Sequence, residues 1–257
     1  EAVPELRVAM EPLAVAVVIP TLNEAKSIAG VVAEIPRGLV REVIIVDGGS
    51  TDGTPAVAAA QGAHVRVVNA GGRGYGRACV AGVAAASPEC GVIVFMDGDG
   101  ADRGDLMARL VDPIRSGDRD FVIASRLLGE RERGAMSWHQ LVAGYLAGLG
   151  IRALYGVRYT DMCAYRAIRR DCLRHLGMRE MTYGWNIEMQ MRAARAGLRI
   201  LEVPMPYRRR SGGRSKVAGT LRGSLRAACR ITSTFVRVAM ASSDGAHFRS
   251  RTPSTTR

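Results

Sequence analysis

Two carboxylates at i and i+2, Asp97 and Asp99 in Met96-Asp-Gly-Asp-Gly100, stand directly behind the apolar run Val92–Met96. Acids so spaced on a turn can point toward one hard cation, which can neutralise a diphosphate as it leaves. Gly98 and Gly100 let the backbone turn tightly around them. Acidic turns are common, and the strand in front is what separates this pair from an ordinary loop. A second acid, Asp47, closes Val43–Val46 and opens Asp47-Gly-Gly-Ser-Thr-Asp-Gly-Thr54. A carboxylate there can accept from the imide or amide N–H of a base, while Ser50, Thr51 and Asp52 offer helix-capping groups. Asp52 is read as a cap. In Pro20-Thr-Leu-Asn-Glu24, Glu24 stands where a ribose hydroxyl could bind, or it and Asn23 simply begin a helix. Gly71-Gly-Arg-Gly-Tyr-Gly-Arg77 looks like a phosphate loop. It lacks the Lys-Ser/Thr of a Walker A and the third glycine of a dinucleotide fingerprint. Close backbone approach to a nucleotide is its expected role, with Arg73 or Arg77 near phosphate.

The elements that must position these residues follow from the apolar pattern. Val15–Ile19, Val43–Val46, Val65–Val68, Val92–Met96 and Phe121–Ala124 are short, β-branched and read as buried strands. Between them 25–35, 54–61, 76–86 and 105–115 have helical composition, so an open, mostly parallel α/β sheet is expected. Almost every chemical candidate then lies just past a strand: Glu24, Asp47, the 71–74 loop, Asp97 with Asp99, and Arg126. Ligands of such sheets bind outside the carboxyl ends of the strands. Further on, 137–155 and 188–196 read as helices and 199–203 as a late strand stopped by Pro204 and Pro206. Residues 217–240 read as a basic amphipathic helix, and the Ser/Thr-rich end from 242 as disordered. Trp138 and His139 are read as packing residues; Trp185 is either core or the wall of an acceptor site.

The 257 residues, 47% of them hydrophobic, suffice for one sizeable core with a small appended element. Five single cysteines with no C-x-x-C pair argue against zinc and against a disulfide framework, and are read as reduced thiols of a cytosolic protein. The net charge is +12, and its distribution says more than its size. No acid falls between Glu202 and Asp244, whereas Arg208, Arg209, Arg210, Arg214, Lys216, Arg222, Arg226, Arg230 and Arg237 all do. Such a block suits phosphate-rich partners or an anionic membrane face. No secretory leader is visible, and the longest apolar run, 141–151, is short of the roughly 20 residues that span a bilayer. The expected location is cytoplasmic, with any membrane attachment peripheral.

Taken together these segments resemble the family-2 glycosyltransferases of GT-A fold, closest to the dolichyl-phosphate mannosyltransferase and glucosyltransferase branch. The likeness runs in order from Val15 to about Lys216. It takes in the Glu24, Asp47, Arg73–Ala78 and Asp97–Gly100 segments, then Ala-Ser-Arg126, Tyr159-Thr-Asp161-Met-Cys-Ala-Tyr-Arg166, Gly184-Trp-Asn-Ile-Glu188 and Arg210-Ser-Gly-Gly-Arg214-Ser-Lys216. It implies a nucleotide-diphospho-sugar transferase fold over 1–216, a basic helical extension over 217–241 and a tail over 242–257. It also implies donor-nucleotide contacts at Pro20, Thr21, Glu24, Asp47, Arg73 and Asp97. Phosphate contacts would come from Arg126, Arg214 and Lys216, and a Mg2+ or Mn2+ ion would sit at Asp97 and Asp99. The chain departs from the pattern at Gly48, where the family often has a second acid, and at Ala101, where some relatives place a glutamine on the metal; Asp102 is the nearest substitute.

Asp161 and Glu188 are the remaining acids in matched motifs. Either is a candidate general base if the acceptor is a hydroxyl, and otherwise a structural acid; a lipid phosphate arrives already anionic and needs no base. The activity implied is inverting transfer of a hexose from a UDP- or GDP-sugar, with a polyprenyl phosphate as preferred acceptor and a soluble hydroxyl as the rival. A sugar nucleotidyltransferase would share the crevice and the metal, but its glycine-rich loop normally follows the first strand. A module that binds membrane or nucleic acid through the basic segment alone is the third reading; no nucleic-acid partner is expected.

Overall fold

The computed structural model describes residues 13–212 and 221–241. A seven-stranded sheet runs in the order β3-β2-β1-β4-β6-β5-β7. Its strands are β1 (Ala14–Thr21), β2 (Glu42–Asp47), β3 (Val65–Asn69), β4 (Cys90–Phe95), β5 (Phe121–Ser125), β6 (Arg166–Arg169) and β7 (Ile200–Pro204). Pairing is parallel from β3 through β4 and between β5 and β7; β6 alone runs against its neighbours β4 and β5. The apolar runs gave five strands and the late one, but β6 was missed. Its sequence Arg-Ala-Ile-Arg has too few apolar residues to stand out, and it becomes a strand because β4 and β5 leave a gap it fills.

Helices cover both faces. They are α1 (Ile28–Glu34), α2 (Thr54–Ala59), α3 (Tyr75–Ala85), α4 (Ala108–Arg115), α5 (Trp138–Tyr155), α6 (Arg170–Leu176), α7 (Trp185–Arg195) and α8 (Leu221–Met240), with a 3-10 turn at Gly104–Leu106. The short helix α6, following directly on β6, was also missed. The central strands are buried on both faces, which is why they read as unbroken apolar runs. Helix α3 lies close on β1 and β2 at Gly82, where a Cβ would fall 2.3 Å from Val18 Cγ1. Four of the cysteines are buried, Cys229 is exposed, and all five are free thiols.

Helix α5 inverts the usual pattern. It turns Gly144, Gly148 and Ile151 inward, and a Cβ on Gly148 would meet the Tyr159 carbonyl at 2.3 Å. Outward it presents Trp138, Val142, Tyr145, Leu146, Leu149 and Leu154. Trp138 is 75% exposed, so it is not the packing residue its type suggested. Trp185 belongs to the core, with Phe95 edge-on at 6.1 Å. Helix α8 packs on α7 through Thr234 and Val238 and seats Phe235 against Gly150 of α5. Among the described residues no helix is long and apolar enough to cross a membrane.

Candidate functional site

The first two strands end side by side, with Thr21 opposite Asp47. Their loops are stitched together. Asn23, at φ 56°, accepts the Thr51 N–H at 2.8 Å and donates its own N–H to Ser50 Oγ at 2.8 Å. Asp52 stands one residue before the N-cap of α2, Gly53, where it takes the Thr54 N–H on Oδ1 and also accepts the Ala25 N–H on Oδ2. The Glu24 N–H donates to Thr54 Oγ1 at 2.9 Å. Pro20 is half-buried and Thr21 buried, its hydroxyl turned toward the Val46 carbonyl. Asp47 is buried at this junction. Its Oδ2 accepts from Gly49 and Ser50 N–H groups at 3.0 Å each, and its Oδ1 is buried with no partner. An orphaned carboxylate oxygen at the ligand edge of a parallel sheet is an acceptor waiting for a donor.

Ser27 carries the connection from this corner to the acid pair. Its side chain donates to the Gly98 carbonyl at 2.7 Å and lies 3.4 Å from Glu24 Oε2. Asp99 is buried; Oδ1 accepts the Ala101 N–H at 2.9 Å. Its Oδ2 lies 3.0 Å from Arg210 Nε, yet it is buried without an aligned hydrogen bond. Asp97 is half-buried. Burial and then the charge of Asp99 push its carboxyl up to about 6, with Arg210 and Arg126 offsetting part of the rise. Asp102, the nearest substitute for a further metal contact, accepts the Asp97 backbone N–H at 3.1 Å and so shapes the turn from beneath. Burial, then Asp97 and Asp99, hold its carboxyl well above the usual range.

These features fit a divalent cation. A buried carboxylate oxygen without a hydrogen bond, beside a second acid whose charged form is disfavoured, is the surplus of negative charge that such an ion relieves. Among the described residues no group of three or more His, Cys, Asp and Glu side chains converges for a metal. Asp97 and Asp99 would therefore share an ion with oxygens of a bound ligand or water.

Arg126 follows β5 and meets Asp161 in a forked pair, Nε to Oδ2 at 2.8 Å and Nη2 to Oδ1 at 2.7 Å. Its backbone N–H adds a third bond to Oδ2 at 2.9 Å, and its guanidinium stacks 5.1 Å from the Tyr207 ring centre. Glu202 accepts the N–H groups of Thr160 and Asp161, which holds the loop carrying Asp161 in place. Burial pushes the Asp161 carboxyl up, but the hydrogen bonds and charge of Arg126 outweigh it and leave it lowered. Both oxygens of Asp161 are thus engaged. Glu188 is engaged as well: it is buried, with Oε2 accepting the Arg179 and Glu180 N–H groups and Oε1 paired to Arg192 at 2.9 Å. In this geometry one acid holds an arginine and the other a loop.

The glycine-rich loop packs against the chain itself. Gly74 and Gly76 are needed because Glu180 and Met181 pass over them; a Cβ would sit 2.4 Å from the Met181 carbonyl and 2.2 Å from that of Glu180, respectively. The close approach is to protein backbone. Arg73 stays exposed on the loop, while Arg77 donates its backbone N–H to Met181. Arg214 and Lys216 lie outside the described residues. Sequence reasoning missed Arg210 as the neighbour of Asp99, Tyr207 as the platform under Arg126, and Ser27. Arg210 had a signal, since it opens the motif assigned to phosphate. From Arg210 an open cleft of about 280 Å³ runs between Tyr207, Arg209 and Arg210 on one side and Gly134, Ser137 and Gln140 on the other, reaching the start of α5.

The open, mostly parallel α/β sheet has the GT-A architecture, with an orphaned carboxylate oxygen, an acid pair and arginines at one edge. The chain belongs to glycosyl transferase family 2, whose model matches residues 16–177. It is 38% identical to an uncharacterised glycosyltransferase of Mycobacterium tuberculosis, over 82% of this chain and 93% of the relative. It is also 33% identical to the undecaprenyl-phosphate mannosyltransferase of Micrococcus luteus, over 80% of this chain and 88% of that one. Among solved structures it is similar to glucosyl-3-phosphoglycerate synthase of Mycobacterium tuberculosis in complex with Mn2+, uridine diphosphate and phosphoglyceric acid. That match has a TM-score of 0.69 at 25% identity, covering 89% of this chain and 79% of the other.

Proposed function

We propose that this glycosyltransferase moves a hexose from a nucleotide-sugar to a polyprenyl phosphate at a membrane surface, with inversion. The observation that carries the acceptor class is the outward face of α5. Six large apolar side chains stand exposed on a helix without a single acid, and the arginine-lined cleft opens at its first turn. An exposed apolar patch of that kind can rest on a bilayer surface, and an anionic headgroup beside it would enter the cleft toward Arg209 and Arg210. The mannosyltransferase named for undecaprenyl phosphate supports the same class.

In this reading Asp47 Oδ1 accepts from the base, Glu24 faces the ribose, and Pro20, Thr21 and Arg73 border the nucleotide. Asp97 and Asp99 would hold a divalent cation, which neutralises the departing diphosphate. Arg126, kept in place by Asp161 and Tyr207, presents its charge to phosphate. The acceptor phosphate is already an anion and attacks the anomeric carbon directly, which suits a site whose two candidate bases are both engaged. A small phosphorylated acceptor is the second reading, favoured by the structural relative solved with phosphoglyceric acid.

Sedimentation with vesicles of anionic phospholipid separates the two. The protein should co-sediment at low salt, the double variant Tyr145→Glu, Leu149→Glu should stay in the supernatant, and label from UDP- or GDP-hexose should pass into a solvent-extractable lipid. Transfer only to water-soluble phosphates, with no sedimentation, would overturn the lipid reading.

A further inference from the structure

Arg210 occupies the place of a cation. Its Nε lies 3.0 Å from Asp99 Oδ2, and that oxygen receives no aligned hydrogen bond, so the contact is charge against charge. The position is built by the backbone. The Ser211 N–H and hydroxyl both donate to the Asp99 carbonyl, at 3.0 and 3.1 Å, and the Arg208 N–H donates to the Ala101 carbonyl at 3.1 Å. The Arg208 side chain is fastened in turn to Glu34 and to the Asp102 carbonyl. Gly100 is obligatory beneath this strap, since a Cβ there, at φ +80°, would fall 2.2 Å from Ser211 Oγ. The backbone of the strap is held by these bonds, while the arginine side chain is one-third exposed, at 33%. It also lines the open cleft, so its guanidinium is accessible to an anionic ligand.

Resting on the reading of Asp97 and Asp99 as the cation site, we infer that Arg210 is a resident counter-ion of Asp99 that opposes divalent-cation binding until the donor's diphosphate draws it away. In the free protein the guanidinium holds the oxygen that a cation needs. When a nucleoside diphosphate arrives, Arg210 turns from Asp99 to the phosphates, Asp99 is freed, and cation affinity rises. The residue thus couples cation uptake to donor binding and keeps the ion from settling in an empty site.

The test reads Mn2+ binding and not turnover. Free Mn2+ is followed by its EPR signal during titration of the full chain, alone and with UDP or GDP. Wild type should bind Mn2+ weakly alone and at least tenfold more tightly with one of the two nucleotides. Arg210→Gln should bind Mn2+ alone about three- to tenfold more tightly than wild type, the range set by losing one partly exposed ion pair and its charge, and should gain less from nucleotide. Arg210→Lys, which keeps the charge, should behave like wild type; circular dichroism checks that each variant folds. Equal Mn2+ affinity of folded Arg210→Gln and wild type without nucleotide would overturn the inference while leaving the cation site standing. Absence of synergy between Mn2+ and both nucleotides in wild type would overturn it without any variant. No Mn2+ binding under any condition, with Asp99→Asn indistinguishable from wild type, would remove the cation site itself.

Discussion

Replacing Asp161 by asparagine separates a positioning acid from a general base. The carboxylate receives three hydrogen bonds from Arg126, from Nε, Nη2 and the backbone N–H, all between 2.7 and 2.9 Å. Breaking a buried ion pair by removing one partner costs about 3–5 kcal/mol, because the other charge is left without compensation. The Arg126 side chain is 16% exposed, so water recovers part of that and about 3 kcal/mol is expected. At roughly 2 °C per kcal/mol for a chain of this size, the melting temperature should fall by about 6 °C. The pH dependence follows from the lowered carboxyl. A group whose folded-state pKa lies below its ordinary 3.8 contributes stability that is present above 3.8 and is lost as the pH falls through the lowered value. Wild type should therefore lose stability across that acid range, and Asp161→Asn should lose correspondingly less there. Differential scanning fluorimetry from about pH 2 to 7, together with kcat against pH, reads both effects. The height of the kcat profile should drop while its shape stays that of wild type. A variant that keeps its melting temperature but loses a limb of the kcat profile would refute the positioning argument and make Asp161 the base.

Asp47→Asn should keep the turn, since one side-chain oxygen still accepts from Gly49 and Ser50, but should place an amide where a base donor is met. A hydrogen bond to a charged group is worth about 1.5–3 kcal/mol, so nucleotide affinity by calorimetry should fall about ten- to a hundredfold with the melting temperature little changed. Gly100→Ala would drive a Cβ into Ser211 Oγ from a left-handed backbone. A loss of about 1–3 kcal/mol in urea denaturation is expected, along with weaker nucleotide binding. Asp97, raised to about 6, holds a proton in the folded protein that the unfolded chain has already given up. That contribution is full below the ordinary 3.8 and disappears as the pH rises through about 6, so Mn2+ should stabilise the protein more at pH 7.5 than at pH 5 in thermal-shift measurements.

Local signals carried most of the sheet. A parallel strand buried on both faces must be apolar throughout, so β1, β2, β4 and β5 stood out without knowledge of their neighbours. A ligand edge formed by strand ends puts Asp47, Asp97 and Arg126 just past those runs. What the sequence could not disclose depends on pairing between distant segments. Strand β6 exists because β4 and β5 leave space for it. The outward face of α5 is apolar while Gly148 and Ile151 meet the core, a division set by how the helix is seated. Asp161 and Glu188 are candidate bases in their motifs, and only the structure shows Arg126 and the Arg179–Glu180 backbone closing on them. Arg210 lies 111 positions from Asp99, and only the strap behind β7 brings the two charges to 3.0 Å. Periodicity records what each element does alone; the partners of a charge are set by which loops the sheet brings together.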